Sequence, residues 1–326
     1  MNLIGAATRG LIAGTQFMEK KLGDDIASTI YSLLNTSLWF SGLAFTRLYV
    51  KDANPVQIQF WRGLVQLVMS VIAMKEYNIP AAVKGSVNER LRMLRNLIGA
   101  TQVLFVLYAV QKMPISDINV LYGMAPFVVA FFDRLWLKAE YQMSEGVLAL
   151  VNTLGVIAVI KPDMFSGENP APSDGNYQYA VGSERLFWQI CAIVVVLCWS
   201  FGNVVVKRLK GMNPVAMNFP FGIIIMFEVS LYEVATGEFG DIGLWMTLKC
   251  ILILGVFGFF TQMTFVKALQ LGKPGRITIL NNMNLVYSFI FEALYLDEYP
   301  PFLKIVGALM VTGSSILLVL NQMKRA

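Results

Sequence analysis

The side chains best placed to do chemistry in this sequence are amides and aromatic rings set inside apolar surroundings. Asn281, Asn282 and Asn284 share one long apolar stretch with Tyr287, and Gln102, Tyr122 and Gln262 lie in three others. Asn35 and Trp39 in an early stretch have counterparts of the same kind in Trp199 and Asn203. Amides beside aromatic rings suit a neutral or zwitterionic solute, held by hydrogen bonds and stacking. The same amides also join helices to one another inside a membrane, so both roles stay open at this point. The residues expected to bind solute are Asn35, Trp39, Gln102, Tyr122, Trp199, Gln262, Asn281 and Asn284.

Charges within apolar stretches are few. Arg62 lies seven residues beyond Pro55, about 10 Å along a helix. It has two readings: pairing with a carboxylate or phosphate of an anionic solute, or a structural role bonding carbonyls or reaching to the interface. Glu228 and Glu292 are candidates for proton coupling, against the plainer role of meeting headgroups or a lysine. Asp133 and Arg134 read as a solvated boundary. The chain has no histidine, which excludes histidine metal sites, Ser-His and Cys-His catalysis and histidine proton relays. No nucleophile and base cluster together, and no phosphate-binding Gly-rich motif is present. Neither a metal, a cofactor nor an enzymatic activity is therefore expected. Cys191, Cys198 and Cys250 lie in apolar stretches and read as small buried side chains.

The elements that must carry these residues follow from composition. Of 326 residues, 56% are hydrophobic and 14% charged, against about 25% charged in an ordinary soluble domain. Ten stretches approach the roughly 20 apolar residues that cross a hydrocarbon core. They are 27–49, 56–74, 93–111, 115–137, 144–160, 187–206, 214–235, 242–266, 276–296 and 302–321. They do not alternate polar and apolar as barrel strands would, so an all-α polytopic membrane protein is expected. With both termini inside, 18 Lys and Arg face the cytoplasm and seven the other side. The net charge of +5 is thus explained by topology, and nucleic acid is not an expected partner.

The two halves match at an offset near 159 residues. Trp39-x-x-Gly42 matches Trp199-x-x-Gly202, and Phe60-x-x-Gly63 matches Phe219-x-x-Gly222. Ala109-Val110-Gln111 with Pro114 matches Ala268-Leu269-Gln270 with Pro274. Leu135-x-Leu137 with Glu140-Tyr141 matches Leu294-x-Leu296 with Glu298-Tyr299. Each unit holds five spans, so the second must enter the membrane inverted. Inverted repeats are the architecture of alternating-access carriers, with the site near mid-membrane at the repeat interface. The expected divisions are a cytoplasmic or interfacial segment 1–25, a first repeat 26–160, a linker 161–185 and a second repeat 186–322.

These features, with the segments "NPVQIQFWRG", "YAVQKMPISD", "APFVVAFFDRLWLKAEY" and "LYLDEYPPFLKIVGALMVTGSSILLV", resemble the drug/metabolite transporter superfamily, in its EamA-type branch. The resemblance covers about residues 28–321 and includes solute carriers related to nucleotide-sugar transporters. It implies a cavity lined mainly by spans 1, 3, 4, 6, 8 and 9. One departure is that Pro126 is matched by Leu285. The expected function is a secondary transporter or exchanger of an amino acid, organic acid or nucleotide or sugar derivative. The alternative is a non-transporting structural subunit that keeps a carrier fold. Expected partners are a small solute and the lipid bilayer, with a homodimer or a larger membrane complex both left open. The plasma or an endomembrane is the expected location, with the mitochondrial inner membrane or another organelle as alternatives.

Overall fold

The computed structural model describes residues 22–49, 55–81, 86–112, 122–123, 125–138, 143–160, 183–237, 243–284, 286–287, 290 and 302–323. Residues 1–21, most of the linker (161–182) and Glu292 lie outside them. The described residues are helical, without β-strands. In chain order the helices are α1 (Asp24–Tyr49), α2 (Pro55–Glu76), α3 (Ser86–Lys112), α4 (Ala125–Phe132), α5 (Met143–Ile160), α6 (Ser183–Arg208), α7 (Pro214–Thr236), α8 (Gly243–Leu271), α9 (Pro274–Asn281) and α10 (Phe302–Met323). Each of the ten apolar stretches coincides with one of them in whole or in part. Among the described residues, four helices are long and apolar enough to cross a membrane: Val56–Glu76, Ile190–Arg208, Pro214–Thr236 and Gly243–Leu271.

Local chemistry sets several boundaries. Asn213 caps α7, its side chain accepting from the Val215 amide at 2.9 Å, and Pro214 takes the first turn, where an N–H has no helical partner. Gly237 ends α7 in the left-handed region at φ 70°, its N–H donating to the Glu233 carbonyl. Inside α8, Cys250–Gly255 forms a π-helical turn, and α4 runs on into another at Asp133–Leu137.

Three expectations need correction. Asp133 is buried, at 1% exposure, rather than solvated, because the π-turn carries it inward while Arg134 stays exposed. The ninth stretch is not one unbroken helix: α9 stops at Asn281, and Asn282 turns, its N–H reaching back to the Ile279 carbonyl at 3.2 Å. Arg92, Arg95 and Arg276, three of the 18 cations assigned to the cytoplasmic side, are buried. The reason is that α3 begins at Ser86, seven residues before its apolar run, so these arginines belong to packed helix; Arg276 likewise sits in the first turn of α9. Of the cysteines, Cys250 is buried, whereas Cys191 and Cys198 are only half-buried.

The chain divides into two compact units, each drawing on both sequence halves. One comprises Met1–Thr101 and Val205–Lys273, the other Gln102–Val204 and Pro274–Arg325, each in its described part. Within the first unit α1 packs along α8 and α2 along α7; within the second, α5 packs along α10 and α4 against α9. In the first unit Met69, Ala73, Met74, Val215, Phe259 and Met263 form one apolar core. The second unit has Leu148, Ala149, Ile279, Leu280 and Leu318. Glycines permit the closest approaches. A Cβ at Gly222 would lie 2.9 Å from the Leu67 amide nitrogen, and one at Gly155 would lie 2.8 Å from the Gly307 carbonyl oxygen. Such small-residue contacts are how helices associate in lipid, where no hydrophobic force drives them together.

Candidate functional site

The structure gathers the expected site residues into separate groups. In the second unit, Gln102 of α3 donates through Nε2 to the Tyr122 hydroxyl at 2.9 Å. The Tyr122 ring meets Trp199 of α6 edge-on, with centroids 5.6 Å apart. All three are half-buried. The Tyr122 hydroxyl uses a lone pair on Gln102 and keeps its own O–H to donate, while the Gln102 carbonyl keeps its acceptor capacity. One uncharged corner thus offers a donor, an acceptor and two ring faces.

The helix break after Asn281 supplies a second polar group in this unit. Asn282 donates to the Asn152 Oδ1, and Asn152, fully buried on α5, donates in turn to the Ser314 hydroxyl at 2.9 Å. This triad ties α5, α10 and the end of α9 together, so Asn282 is structural. Asn281 and Asn284 flank it and are half-buried. The Asn284 Oδ1 is buried without a hydrogen-bond partner, an acceptor available to a ligand. Nearby on the same elements, Arg276 donates through Nε at 2.7 Å and through Nη2 to Glu145 Oε1, a buried ion pair.

The first unit holds the charged candidates. Arg62 of α2 is buried and stands over the Trp39 ring, 5.3 Å from its centroid. Cation–π contact of this kind is strongest where water is excluded. Gly258 of α8 leaves room for it, since a Cβ there would be 3.3 Å from the Arg62 Nε. Gln262, one turn further along α8, accepts from Arg95 Nη2 at 3.4 Å. Asn35 is buried on α1. Glu228 of α7 accepts from the Thr101 hydroxyl at 2.6 Å through Oε1, while its Oε2 is buried without a partner.

Sequence reasoning missed a buried network around the start of α3. Arg95 Nη1 donates to Asn96 Oδ1 and Asn218 Oδ1, both at 2.8 Å. Asn96 Nδ2 donates to the Met217 carbonyl at 2.8 Å, and Arg92 Nη1 to the Ala216 carbonyl at the same distance. Arg92 also pairs with Glu89. Arg92, Arg95 and Asn96 fall at i, i+3 and i+4, one helix face, which is the signal that was available.

Residues 186–320 match the EamA-like transporter family. Over those residues the chain carries an EamA-like transporter domain, which supports a place in the drug/metabolite transporter superfamily. It is 23% identical over 287 residues to Solute carrier family 35 member G1 of Homo sapiens, covering 88% of this chain and 77% of that one. It is 21% identical over 280 residues to the Pseudopaline exporter CntI of Pseudomonas aeruginosa, covering 82% of this chain and 89% of that protein. A solved crystal structure 12% identical in sequence superposes with a TM-score of 0.73 over 90% of this chain and 98% of the other. That likeness shows a shared fold. The domain match and these relatives support an integral membrane transporter of small molecules.

Proposed function

We propose that this EamA-type chain is a secondary carrier or exchanger of a small polar organic solute, working by alternating access between two inverted five-helix repeats. The observation that carries the reading is the pairing of repeat counterparts. Gly63 and Gly222 occupy the same place in the two sequence halves, and a Cβ on Gly222 would lie 3.1 Å from the Gly63 carbonyl oxygen. Contacts of Gly63 with Ile225 and of Gly222 with Leu67 run in opposite directions along α2 and α7, so the helices are antiparallel. In the second unit Asn152 donates to the Val311 carbonyl at 3.5 Å, again across an offset of 159. Residues meeting their own counterparts on antiparallel helices are what a two-fold axis in the membrane plane produces, the axis of an inverted repeat.

In this reading Gln102, Tyr122 and Trp199 recognise the solute, with Asn281 and Asn284 at the helix break. Broken helices supply polar backbone and side-chain groups to carrier sites. The relatives support the solute class: one is named a solute carrier and another an exporter of pseudopaline. Proteoliposomes containing the chain should show saturable, counter-substrate-stimulated flux of at least one amino acid, organic acid or nucleotide derivative. Tyr122→Phe should weaken that solute's apparent affinity by roughly threefold to tenfold, the worth of one neutral hydrogen bond. A protein that moves none of these solutes, and whose melting temperature none of them raises, would sink the carrier reading.

A further inference from the structure

Polar groups without partners are concentrated on one helix face in the first unit. On α2, Gln59, Arg62, Gln66 and Ser70 follow at i, i+3, i+7 and i+11, so they share a face. All four are at least nine-tenths buried. Gln59 Nε2 and Oε1, Arg62 Nη2, Gln66 Nε2 and Ser70 Oγ are nonetheless without a hydrogen-bond partner. A buried donor left unpaired is destabilising, more so beside a charge. A whole stripe of them leaves this face of α2 with hydrogen-bonding capacity that the protein itself does not meet.

Charge says what that something is. Arg62 lies against Gly258 of α8, and Arg95 bonds Gln262 of the same helix. Those positions are one turn apart, about 6 Å along the axis, so both guanidiniums meet one face of α8. The stripe on α2 runs toward Arg95 as well. The antiparallel register set by Gly222 on Leu67 and Ile225 on Gly63 brings Asn218, which accepts from Arg95, opposite position 70. Among the described residues neither arginine pairs with an acid. Arg62 has the Trp39 ring, and Arg95 has only the amide oxygens of Asn96, Asn218 and Gln262. Glu89 pairs with Arg92, and Glu228 accepts from Thr101 through Oε1 with its Oε2 left over; neither carboxylate is paired with Arg62 or Arg95. Water would satisfy the donors but leave two buried positive charges uncompensated.

We propose that the first unit holds a binding site for a small organic dianion, a dicarboxylate or a phosphate monoester. Arg62 and Arg95 are its charge partners, and Gln59, Gln66 and Ser70 supply further donors. Charge-assisted hydrogen bonds to guanidinium are the strong ones, and a dianion cancels the buried charge that no protein acid cancels. The proposal rests on the carrier reading for the anion's role as cargo, while the binding itself does not.

The test uses the full chain in nanodiscs of uncharged lipid, with succinate, glycerol 3-phosphate and the neutral succinamide as probes. Succinate or glycerol 3-phosphate should bind by calorimetry and raise the melting temperature, and succinamide should do neither. Whichever dianion binds tells carboxylate from phosphate. Arg62→Gln should weaken that binding by roughly tenfold to a hundredfold. Gln66→Leu is the companion variant: it removes an unpartnered donor, so the ligand-free protein should be equally or more stable. Dianion binding to it should nevertheless fall by about threefold to tenfold. If neither dianion binds, the proposal is overturned, whether or not another solute is transported. Binding unchanged in both variants overturns the site. Dianion binding without any measurable flux would count against the carrier reading and leave this site standing.

Discussion

At the residue scale, the clearest energetic statement concerns Glu145 and Arg276. Both are buried, and Arg276 reaches Glu145 Oε1 through two nitrogens. Removing one partner leaves a buried, uncompensated charge, so Glu145→Gln should lose about 3–5 kcal/mol in denaturant titrations of micelle-embedded protein. Replacing both by Leu and Met should cost far less, because desolvation of the pair disappears with the pair. A double variant as unstable as the single would show that the ion pair itself, rather than relief of buried charge, holds α5 to α9. Arg276 also shows where sequence reading fails. Arginine near a helix start looks the same whether it faces headgroups or a neighbouring helix. Only the packing of α5 against the first turn of α9 distinguishes them. Arg62 was legible because it is the one charged residue in its apolar stretch, 56–74. Arg95 was not, since the apolar run begins at 93 and the helix at Ser86. Glu292 lies outside the described residues. The three-member group of Gln102, Tyr122 and Trp199 was legible as a set of types, but not as one cluster.

At the element scale, helix placement followed closely from the apolar stretches, because lipid leaves a backbone no alternative to internal hydrogen bonding. What hydropathy could not reveal is local irregularity. The π-turns at Cys250–Gly255 and Asp133–Leu137 and the break after Asn281 change which side a residue faces without changing the apolar count. Glycines illustrate the same point. Those of the repeat look alike in sequence, yet Gly222 is wedged against Leu67 whereas Gly313 on α10 has open space where its Cβ would be. Gly222→Ala should therefore destabilise by about 1–3 kcal/mol through overpacking of α2 on α7. Gly313→Ala should be neutral or stabilise by up to about 1 kcal/mol, from helix propensity alone. Paired unfolding measurements on the two variants check this. Equal effects would mean that the α2–α7 contact yields easily and does not fix the position of Arg62.

At the scale of the molecule, the interleaving of the two sequence halves is the feature with most consequence. Each compact unit takes helices from both halves, and in each a helix lies beside its own repeat counterpart. Two parallel copies would place counterparts side by side in the same direction. The antiparallel register of Gly63 with Ile225 and Gly222 with Leu67 is the one the proposed inverted repeat calls for. Inversion after five spans requires that the loop before α3 and the linker between the repeats lie on opposite sides of the membrane. In the proposed topology, with the cation excess inside, the linker is outside. This can be read directly. In a background with Cys191, Cys198 and Cys250 replaced by Ala, a membrane-impermeant maleimide should label Ser173→Cys in intact cells or sealed right-side-out vesicles. Ser86→Cys should be labelled only after permeabilisation. The same labelling of both positions before permeabilisation would place an even number of spans in the first repeat. The inverted pairing, and with it the mechanistic basis for alternating access, would then fall while the EamA-type fold remained.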